Sequence, residues 1–341
     1  MVAWTRASTT VDFERDGRQV GAIRLGHSVH RSAYGVLPIP IAVFKNGRGP
    51  TVLVMAGNHG DEYEGQVALT NLIRTFDPAR LQGRLIVVPM ANFPAARAGQ
   101  RVSPVDGGNL NREFPGRADG TLTQQIAHYI SAVLMPMADV FLDLHSGGSS
   151  LEYLPYALAT VGGGPEKDRR TVAAMLAMGY PLGFVWPATP GTGTANDVAG
   201  PAGLIALSGE FGGKGFVTPA YVRMLERGIE NLLAHLGMVA GKPAPPAKPT
   251  RIIVWPPEGG LVYAPVAGIW EPTNELGDTV AAGDTVALIH VPEEPLREPV
   301  RVAAPAAGMM LARRAMGRVE PGDCLAELCI DDPTDWRGSL T

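Results

Sequence analysis

The chain has 341 residues, 45% of them hydrophobic and 18% charged, which is enough apolar material for one large or two ordinary globular domains. A formal net charge of −4, with both signs mixed, favours neither nucleic acid nor an anionic membrane surface as a partner. The N-terminal segment lacks a signal-peptide core and no later run has membrane-span length, so we expect a cytoplasmic protein. Its two cysteines, Cys324 and Cys329, exclude a disulfide framework.

The region before residue 240 alternates short apolar runs with segments of helical spacing. The apolar runs that predict buried strands are Thr51–Ala56, Arg84–Met90, Val140–Leu144 and Leu204–Ser208. Segments 62–76 and 121–137 have helical spacing, and the clearest helix follows Thr218, a candidate N-cap, and ends at Gly237. This alternation predicts an α/β fold with a mostly parallel, mixed sheet flanked by helices.

A proline-rich segment, Gly241–Thr250, precedes a region in which short valine-rich runs and Gly-Asp pairs replace the helical patterns. We therefore expect a domain at 1–240, a linker at 241–250 and a small all-β module at 251–341. Within the module, Ala264–Trp270 resembles Ala304–Met310, about forty residues on, which predicts two similar halves paired into a barrel or sandwich. Biotinyl and lipoyl carrier modules are similar, but no lysine follows Lys248 to carry a cofactor. We expect a lid or an assembly surface instead.

Histidine and acidic residues follow three predicted strands, at the edge where α/β sheets bind ligands. His59 and Glu62 follow the first strand, Asp143 and His145 close the third, and Glu210 comes just past the fourth. A lone histidine after a strand is more often structural, but catalytic zinc takes three such ligands and leaves a fourth position open. The pattern predicts one zinc site at His59, Glu62 and His145, which cobalt or manganese could also fill.

Two further roles follow from a zinc site at this edge. A carboxylate beside a zinc-bound water can take its proton and pass it to a leaving amine, which is the role we predict for Glu210. Asp143 is expected to orient a ligand.

The polar segment Gly99–Gly116 offers guanidinium groups between the two ligand segments. Arg112, next to Asn111, can bind a substrate carboxylate with two parallel hydrogen bonds. Arg101 can polarise a scissile carbonyl and hold its developing oxyanion. An isolated arginine more often forms a surface salt bridge, but the surroundings of Arg112 favour substrate binding.

The motifs GNHGDE, NLNREFPG, DLHSGG and SGEFGG, in this order, resemble the succinylglutamate desuccinylase and aspartoacylase family, a zinc-dependent branch of the carboxypeptidase-like fold. The resemblance spans roughly residues 38–237 and the β module behind them. It implies one zinc ion per chain, Glu210 as the catalytic base, Arg101 as the carbonyl-polarising arginine, and Asn111 and Arg112 as ligands of the amino-acid α-carboxylate.

The sequence differs from the founding members of this family in a feature that determines substrate specificity. Those enzymes bind a second carboxylate of the substrate with an additional arginine. Between His145 and Glu210 the only arginines are Arg169 and Arg170, in a predicted surface helix. Glu152 could pair with a cationic side chain instead, or be an ordinary loop carboxylate. These segments are most similar to the branch that deacetylates N-acetyl-diaminobutyrate in ectoine breakdown.

The expected activity is zinc-dependent hydrolysis of the amide of a small N-acyl amino acid, N-α-acetyl-L-2,4-diaminobutyrate, releasing acetate. The alternatives are a metallo-carboxypeptidase, a deacylase of the N-acetylaspartate or succinylglutamate type, and, in a different class, a non-catalytic binding protein. Neither nucleic acid nor a membrane is an expected partner, and a homo-oligomer is a modest expectation.

Overall fold

The computed structural model describes residues 4–189 and 191–338, so the outermost residues of the two predicted domains, 1–3 and 339–341, lie outside the described residues. The α-helices in this part of the chain are α1 (Tyr63–Thr75), α2 (Phe93–Ala98), α3 (Leu122–Tyr129), α4 (Pro165–Ala177), α5 (Ala195–Ala199) and α6 (Pro219–His235). Helix α6 follows Thr218 as predicted, and Gly237, with φ of 70°, ends the turn behind it.

The strands before the proline-rich segment are β1 (Ser8–Thr9), β2 (Gly17–Gly26), β3 (Val36–Asn46), β4 (Thr51–Ala56), β5 (Gly83–Val88), β6 (Val140–His145), β7 (Leu151–Val161), β8 (Leu182–Pro187) and β9 (Ile205–Gly213). Behind it come β10 (Arg251–Val254), β11 (Leu261–Tyr263), β12 (Gly268–Pro272), β13 (Thr279–Val280), β14 (Thr285–His290), β15 (Val300–Ala303), β16 (Gly308–Arg314), β17 (Arg318–Val319) and β18 (Cys324–Asp331).

The main sheet is mixed and has the order β1-β2-β3-β5-β4-β6-β9-β7-β8-β10-β18-β16-β13. Its parallel pairs are β4 with β5, β4 with β6, β6 with β9, β7 with β8 and β8 with β10. Helices cover both faces of its parallel centre, which confirms the predicted α/β class.

Strand β4 shows why the apolar runs could be recognised. Val52 and Val54 pack into a core shared with α1, α4 and α6, whereas Leu53 and Met55 pack into a second core with α2, α3 and α5. Successive side chains of a strand point to opposite faces, so a strand covered on both faces reads as a continuous apolar run.

Strand β9 is longer than the sequence pattern predicts. Its pairing with the parallel strand β6 reaches Glu210, and its antiparallel pairing with β7 continues to Gly213. Glu210 therefore lies inside the strand and not just past its end. The glycine-rich sequence around it is typical of a turn, and Gly212 and Gly213 do have positive φ, but the pairing with β7 continues through them.

The C-terminal region forms two sheets of corresponding strands, and each sheet contains strands from both halves of the sequence repeat. One sheet has the order β15-β14-β12-β17, and the matching strands of the other are β11-β18-β16-β13. A shared apolar cluster that includes Trp270, Val286 and Leu325 packs between them. Unlike a separate lid, this region joins the main sheet, because β10 pairs with β8 and β16 pairs with β7.

No helix in the described ranges has the length and hydropathy that a transmembrane span requires.

Candidate metal centre and active site

Three buried side chains meet at the carboxyl end of the parallel strands. His59 lies in the turn after β4, Glu62 directly precedes α1, and His145 is the last residue of the neighbouring strand β6. One potential ligand atom from each lies within 4.8 Å of the others. The structure thus brings together the three residues that the sequence nominated as metal ligands.

The two imidazoles present the same nitrogen to Glu62. The Nδ1 atom of His59 lies 2.6 Å from Glu62 Oε1, and that of His145 lies 2.8 Å from Glu62 Oε2. Burial raises the pKa of Glu62, but the charges and hydrogen bonds of the two histidines outweigh it, so its pKa is well below the ordinary value. Two imidazole nitrogens and an ionised carboxylate form a donor set that suits a metal such as zinc.

The opposite nitrogens of both rings are held by the protein. His145 Nε2 lies 2.9 Å from Asp143 Oδ2, and His59 Nε2 lies 3.1 Å from Asn109 Oδ1. Such outer contacts fix the orientation of a ligating imidazole and leave Nδ1 directed at the site. Asp143 also accepts a hydrogen bond of 2.8 Å from Asn58. Asp143 was expected in this role from the sequence, whereas Asn109 was not.

Glu210 is aligned with this cluster by the sheet. It pairs with His145 across β6 and β9 and with Tyr156 across β7 and β9. Its Oε2 atom is buried and has no hydrogen-bond partner among the described residues. Burial, followed by the charge of Glu62, raises its pKa well above the ordinary value. A carboxyl group with one free oxygen and a raised pKa is suited to taking up a proton and giving it back.

The polar loop before α3 delivers three residues to the same cavity. Arg101, Asn111 and Arg112 line it together with His59 and Glu62. An Arg101 Nη1 atom lies 3.5 Å from Glu62 Oε1. Arg112 Nη1 donates a hydrogen bond of 2.7 Å to the Asn111 carbonyl, and the Asn111 side chain accepts one of 3.0 Å from Ala195 at the start of α5. Both guanidinium groups therefore stand at the cavity wall.

Glu152 has a different environment from the one expected for it. It forms ion pairs with Lys214, at 2.5 Å, and with Arg313, at 3.1 Å, and it is not among the residues that line the cavity. The interpretation of Glu152 as a receptor for a cationic substrate is therefore corrected, because two protein cations already neutralise it. Arg169 pairs with Glu166 on α4, also away from the cavity lining.

The cavity has a volume of about 680 Å³, and a large part of its wall comes from residues that were not predicted from the sequence. They include Tyr153, Tyr156, Trp186, Trp255 and Glu327. Glu327 and Trp255 belong to the C-terminal region. The sequence repeat contained a signal that could have identified Glu327. The segment Ala287-Leu288-Ile289 of the first half corresponds to Ala326-Glu327-Leu328 of the second, so a charged residue stands where the first half has leucine.

Known proteins share both the sequence and this architecture. The model of the succinylglutamate desuccinylase/aspartoacylase catalytic domain matches residues 48–236. The chain is 41% identical over 319 residues to N-alpha-acetyl-L-2,4-diaminobutyric acid deacetylase of Halomonas elongata, covering 94% of this chain and 93% of that protein.

Two solved structures are similarly close. The product-bound ectoine utilization protein EutE of Ruegeria pomeroyi has a TM-score of 0.92 at 37% identity, covering 96% of this chain and 100% of that one. A succinylglutamate desuccinylase/aspartoacylase of Rhodobacter sphaeroides has a TM-score of 0.91 at 38% identity, with the same coverage of both chains.

Proposed function

The chain belongs to the succinylglutamate desuccinylase/aspartoacylase family, and from that premise we propose that it is a zinc amidohydrolase that removes acetate from N-α-acetyl-L-2,4-diaminobutyrate. The observation that carries this proposal is the meeting of His59, Glu62 and His145 with Glu210 in one cavity. The relative from Halomonas elongata is named as a deacetylase of this substrate, which supports the proposal.

His59, Glu62 and His145 would hold one zinc ion through two Nδ1 atoms and a carboxylate. Bound there, zinc supplies Lewis acidity that makes water a better nucleophile and polarises an amide carbonyl. The contacts from Asp143 and Asn109 to the two Nε2 atoms support this assignment, because they leave Nδ1 of each ring for the metal.

Glu210 is the proton carrier of the proposed reaction. Its unpaired oxygen takes a proton from the attacking water and returns it to the departing α-amine, so that the C–N bond breaks with a neutral leaving group. Arg101, which lies beside Glu62, holds the developing negative charge of the carbonyl oxygen.

Asn111 and Arg112 anchor the substrate at the other end. A guanidinium group can bind an α-carboxylate with two parallel hydrogen bonds, which fixes the amide relative to Glu210. The Asn111 side-chain oxygen accepts a hydrogen bond from the backbone of Ala195, so its amide group remains free to donate to the carboxylate.

We also propose that residues 1–240 carry the amidohydrolase machinery and that residues 251–341 form the β module, with 241–250 as the linker. Support comes from the change in topology after α6 and from the repeated strand order behind it. The module contributes Trp255 and Glu327 to the cavity wall, which favours a part in substrate recognition over a carrier role.

The test is amine release by zinc-reconstituted protein from N-α-acetyl-L-2,4-diaminobutyrate, N-acetylaspartate, succinylglutamate and a dipeptide. Glu210→Gln, purified in the same way, measures contaminating hydrolase activity. Selective cleavage of the first substrate supports the proposal. Preference for a dicarboxylate, or cleavage of the dipeptide alone, contradicts it and assigns the protein to another branch of these hydrolases.

A further inference from the structure

Glu327 is a buried carboxylate that lines the cavity from the side of the β module. It lies on β18 and is 5% exposed. Trp255 Nε1 donates a hydrogen bond of 2.5 Å to Oε1, and the Tyr153 hydroxyl donates one of 3.1 Å to Oε2. Each carboxylate oxygen therefore has a fixed donor, and the group is held in one orientation at the cavity wall.

Among the residues that the structure describes, no cation forms an ion pair with this carboxylate, whereas Glu152 has two cationic partners. Burial raises the pKa of Glu327 above its ordinary value, and the hydrogen bonds from Trp255 and Tyr153 offset that rise only in part. A buried carboxylate is costly unless a charge pairs with it, so a cation supplied by a ligand would be favoured here.

The neighbouring wall is aromatic, which suits an organic cation. The rings of Trp186 and Trp255 have centroids 4.4 Å apart, and those of Tyr153 and Tyr156 lie 5.9 Å apart. All four residues line the cavity with Glu327. Aromatic faces attract ammonium groups through the ring quadrupole, and this attraction grows when the site excludes water.

The repeat shows that the module does not need a carboxylate at this position in order to fold. Leu288 of β14 occupies the place in the first half that Glu327 of β18 occupies in the second. Strand β14 is flanked by β15 and β12, and β18 by the corresponding strands β11 and β16, with β10 as a further partner near its end. The shared part of this pairing accepts an apolar residue in this place. Strand pairing therefore does not explain why a glutamate occupies position 327.

We infer that Glu327 is the specificity-determining residue for the side chain of the substrate and binds its terminal ammonium group against the rings of Trp186 and Trp255. This inference rests on the proposed function and adds the residue that distinguishes a diamino acid from a dicarboxylic one. Trp255 and Tyr153 are positioning residues, because they act by orienting the carboxylate.

Asp197 is another acidic residue in the cavity lining, but its carboxylate belongs to the capping box at the start of α5. Its Oδ2 atom accepts hydrogen bonds from the Thr192 hydroxyl and from the Thr194 backbone at the start of α5. It serves as part of the helix cap, whereas both donors to Glu327 come from rigid strands or their ends. Glu327 is the better receptor for a substrate cation.

The experiment compares two substrates that differ in charge alone. N-α-acetyl-L-2,4-diaminobutyrate and N-acetyl-L-norvaline have side chains of nearly the same shape, but only the first ends in an ammonium group. Wild-type protein with zinc is expected to prefer the first by about 100-fold or more in kcat/KM, the size expected for a buried charge pair. Glu327→Gln should abolish most of that preference.

The variant separates recognition from structure. In Glu327→Gln the loss on the cationic substrate should be about 100-fold, mainly as a higher KM, while turnover of the norvaline compound is unchanged or improved. Equal losses on both substrates, or no loss on either, would overturn the inference. Glu327→Leu, which introduces the residue type of Leu288, should reverse the preference outright, and retention of the cationic preference in that variant contradicts our assignment.

A measurement on the wild-type protein needs no variant. L-2,4-diaminobutyrate should inhibit as a product at concentrations about 100-fold lower than L-norvaline. If the wild type cleaves both acetylated substrates equally and both products inhibit alike, the deacylase activity stands and the role of Glu327 is refuted. If it cleaves neither, the proposed function itself fails, and the inference fails with it.

Discussion

His145 and Glu210 occupy paired positions on two adjacent parallel strands. One is a candidate metal ligand and the other the candidate proton carrier, so backbone hydrogen bonds of the sheet set their separation. Catalysis depends on such fixed placement, because a misplacement of about 1 Å can cost about 100-fold in rate. The sheet register thus supplies a rigid link between the metal centre and the base.

Glu210→Gln should lower kcat by about 10²–10⁴-fold, because the amide cannot carry the proton from water to the amine. Zinc content should stay at the wild-type level, since Glu210 is not in the ligand set. Amine release and metal analysis on the same preparation check both statements. Substantial turnover in a zinc-loaded variant would show that another group carries the proton.

Removal of the metal with a chelator should abolish activity, and added zinc should restore it, because the ligands alone provide no Lewis acid. His145→Ala should bind zinc at least 10-fold more weakly than the wild type, as loss of one of three protein ligands implies. Equilibrium metal binding measures this. Full activity in metal-free protein would exclude a metal-dependent reaction.

Substitutions of Arg101 and Arg112 should affect different kinetic constants. Arg101→Lys is expected to lower kcat by about 10²-fold, because a point charge replaces the group assigned to the developing oxyanion. Arg112→Lys should instead raise KM by about 10-fold, since a bidentate contact to the carboxylate is lost. Initial rates over a range of substrate concentrations distinguish the two. An exchange of these signatures would mean that the two roles are reversed.

Asp106 should stabilise the loop that carries Asn111 and Arg112. It accepts hydrogen bonds of 2.7 Å from both the backbone and the hydroxyl of Thr123 in the first turn of α3. Asp106→Ala is expected to lower the free energy of unfolding by about 1–2 kcal/mol, because an N–H in the first turn of α3 loses a side-chain acceptor, as on loss of an N-cap; the N-cap itself, Thr121, is unchanged. Thermal or denaturant unfolding at neutral pH measures this.

The same contact has a pH dependence of defined sign. Burial raises the pKa of Asp106, but hydrogen bonds from Thr123 outweigh it and leave the pKa below the ordinary value of 3.8. The stabilisation by ionised Asp106 is therefore complete at pH values well above its ordinary pKa of 3.8. It is lost as the pH falls through the lower pKa of the folded state. The stability difference between wild type and Asp106→Ala should shrink over that acidic range, and a constant difference would contradict this cause.

Local patterns were sufficient where a residue's environment follows from its own segment. Strand β4 was predicted with its observed bounds, Thr51–Ala56, because both of its faces are buried. His59, Glu62 and His145 could be nominated because parallel strands end at a common edge. These inferences need only the period of a strand and the position of its end.

The sequence could not assign the side-chain receptor, because its setting depends on contacts distant along the chain. Tyr153 and Glu327 are 174 positions apart, and only the pairing of β7 with β16 and of β16 with β18 brings them together. Glu152, the neighbour of Tyr153, is neutralised by Arg313 from that same pairing. Two neighbouring residues of β7 thus have different surroundings. Tyr153 contacts a carboxylate of the cavity wall, whereas Glu152 forms an ion pair away from the cavity lining.

The continuity of the main sheet through β8, β10 and β18 also limits how the protein could be shortened. A chain that stopped in the proline-rich segment would lose β10 and leave the β8 edge, with its row of unpaired backbone groups, open to solvent. Such an edge is a template for pairing with other chains. A truncated product is therefore expected to aggregate, so premature termination in this segment would yield aggregated protein instead of active enzyme.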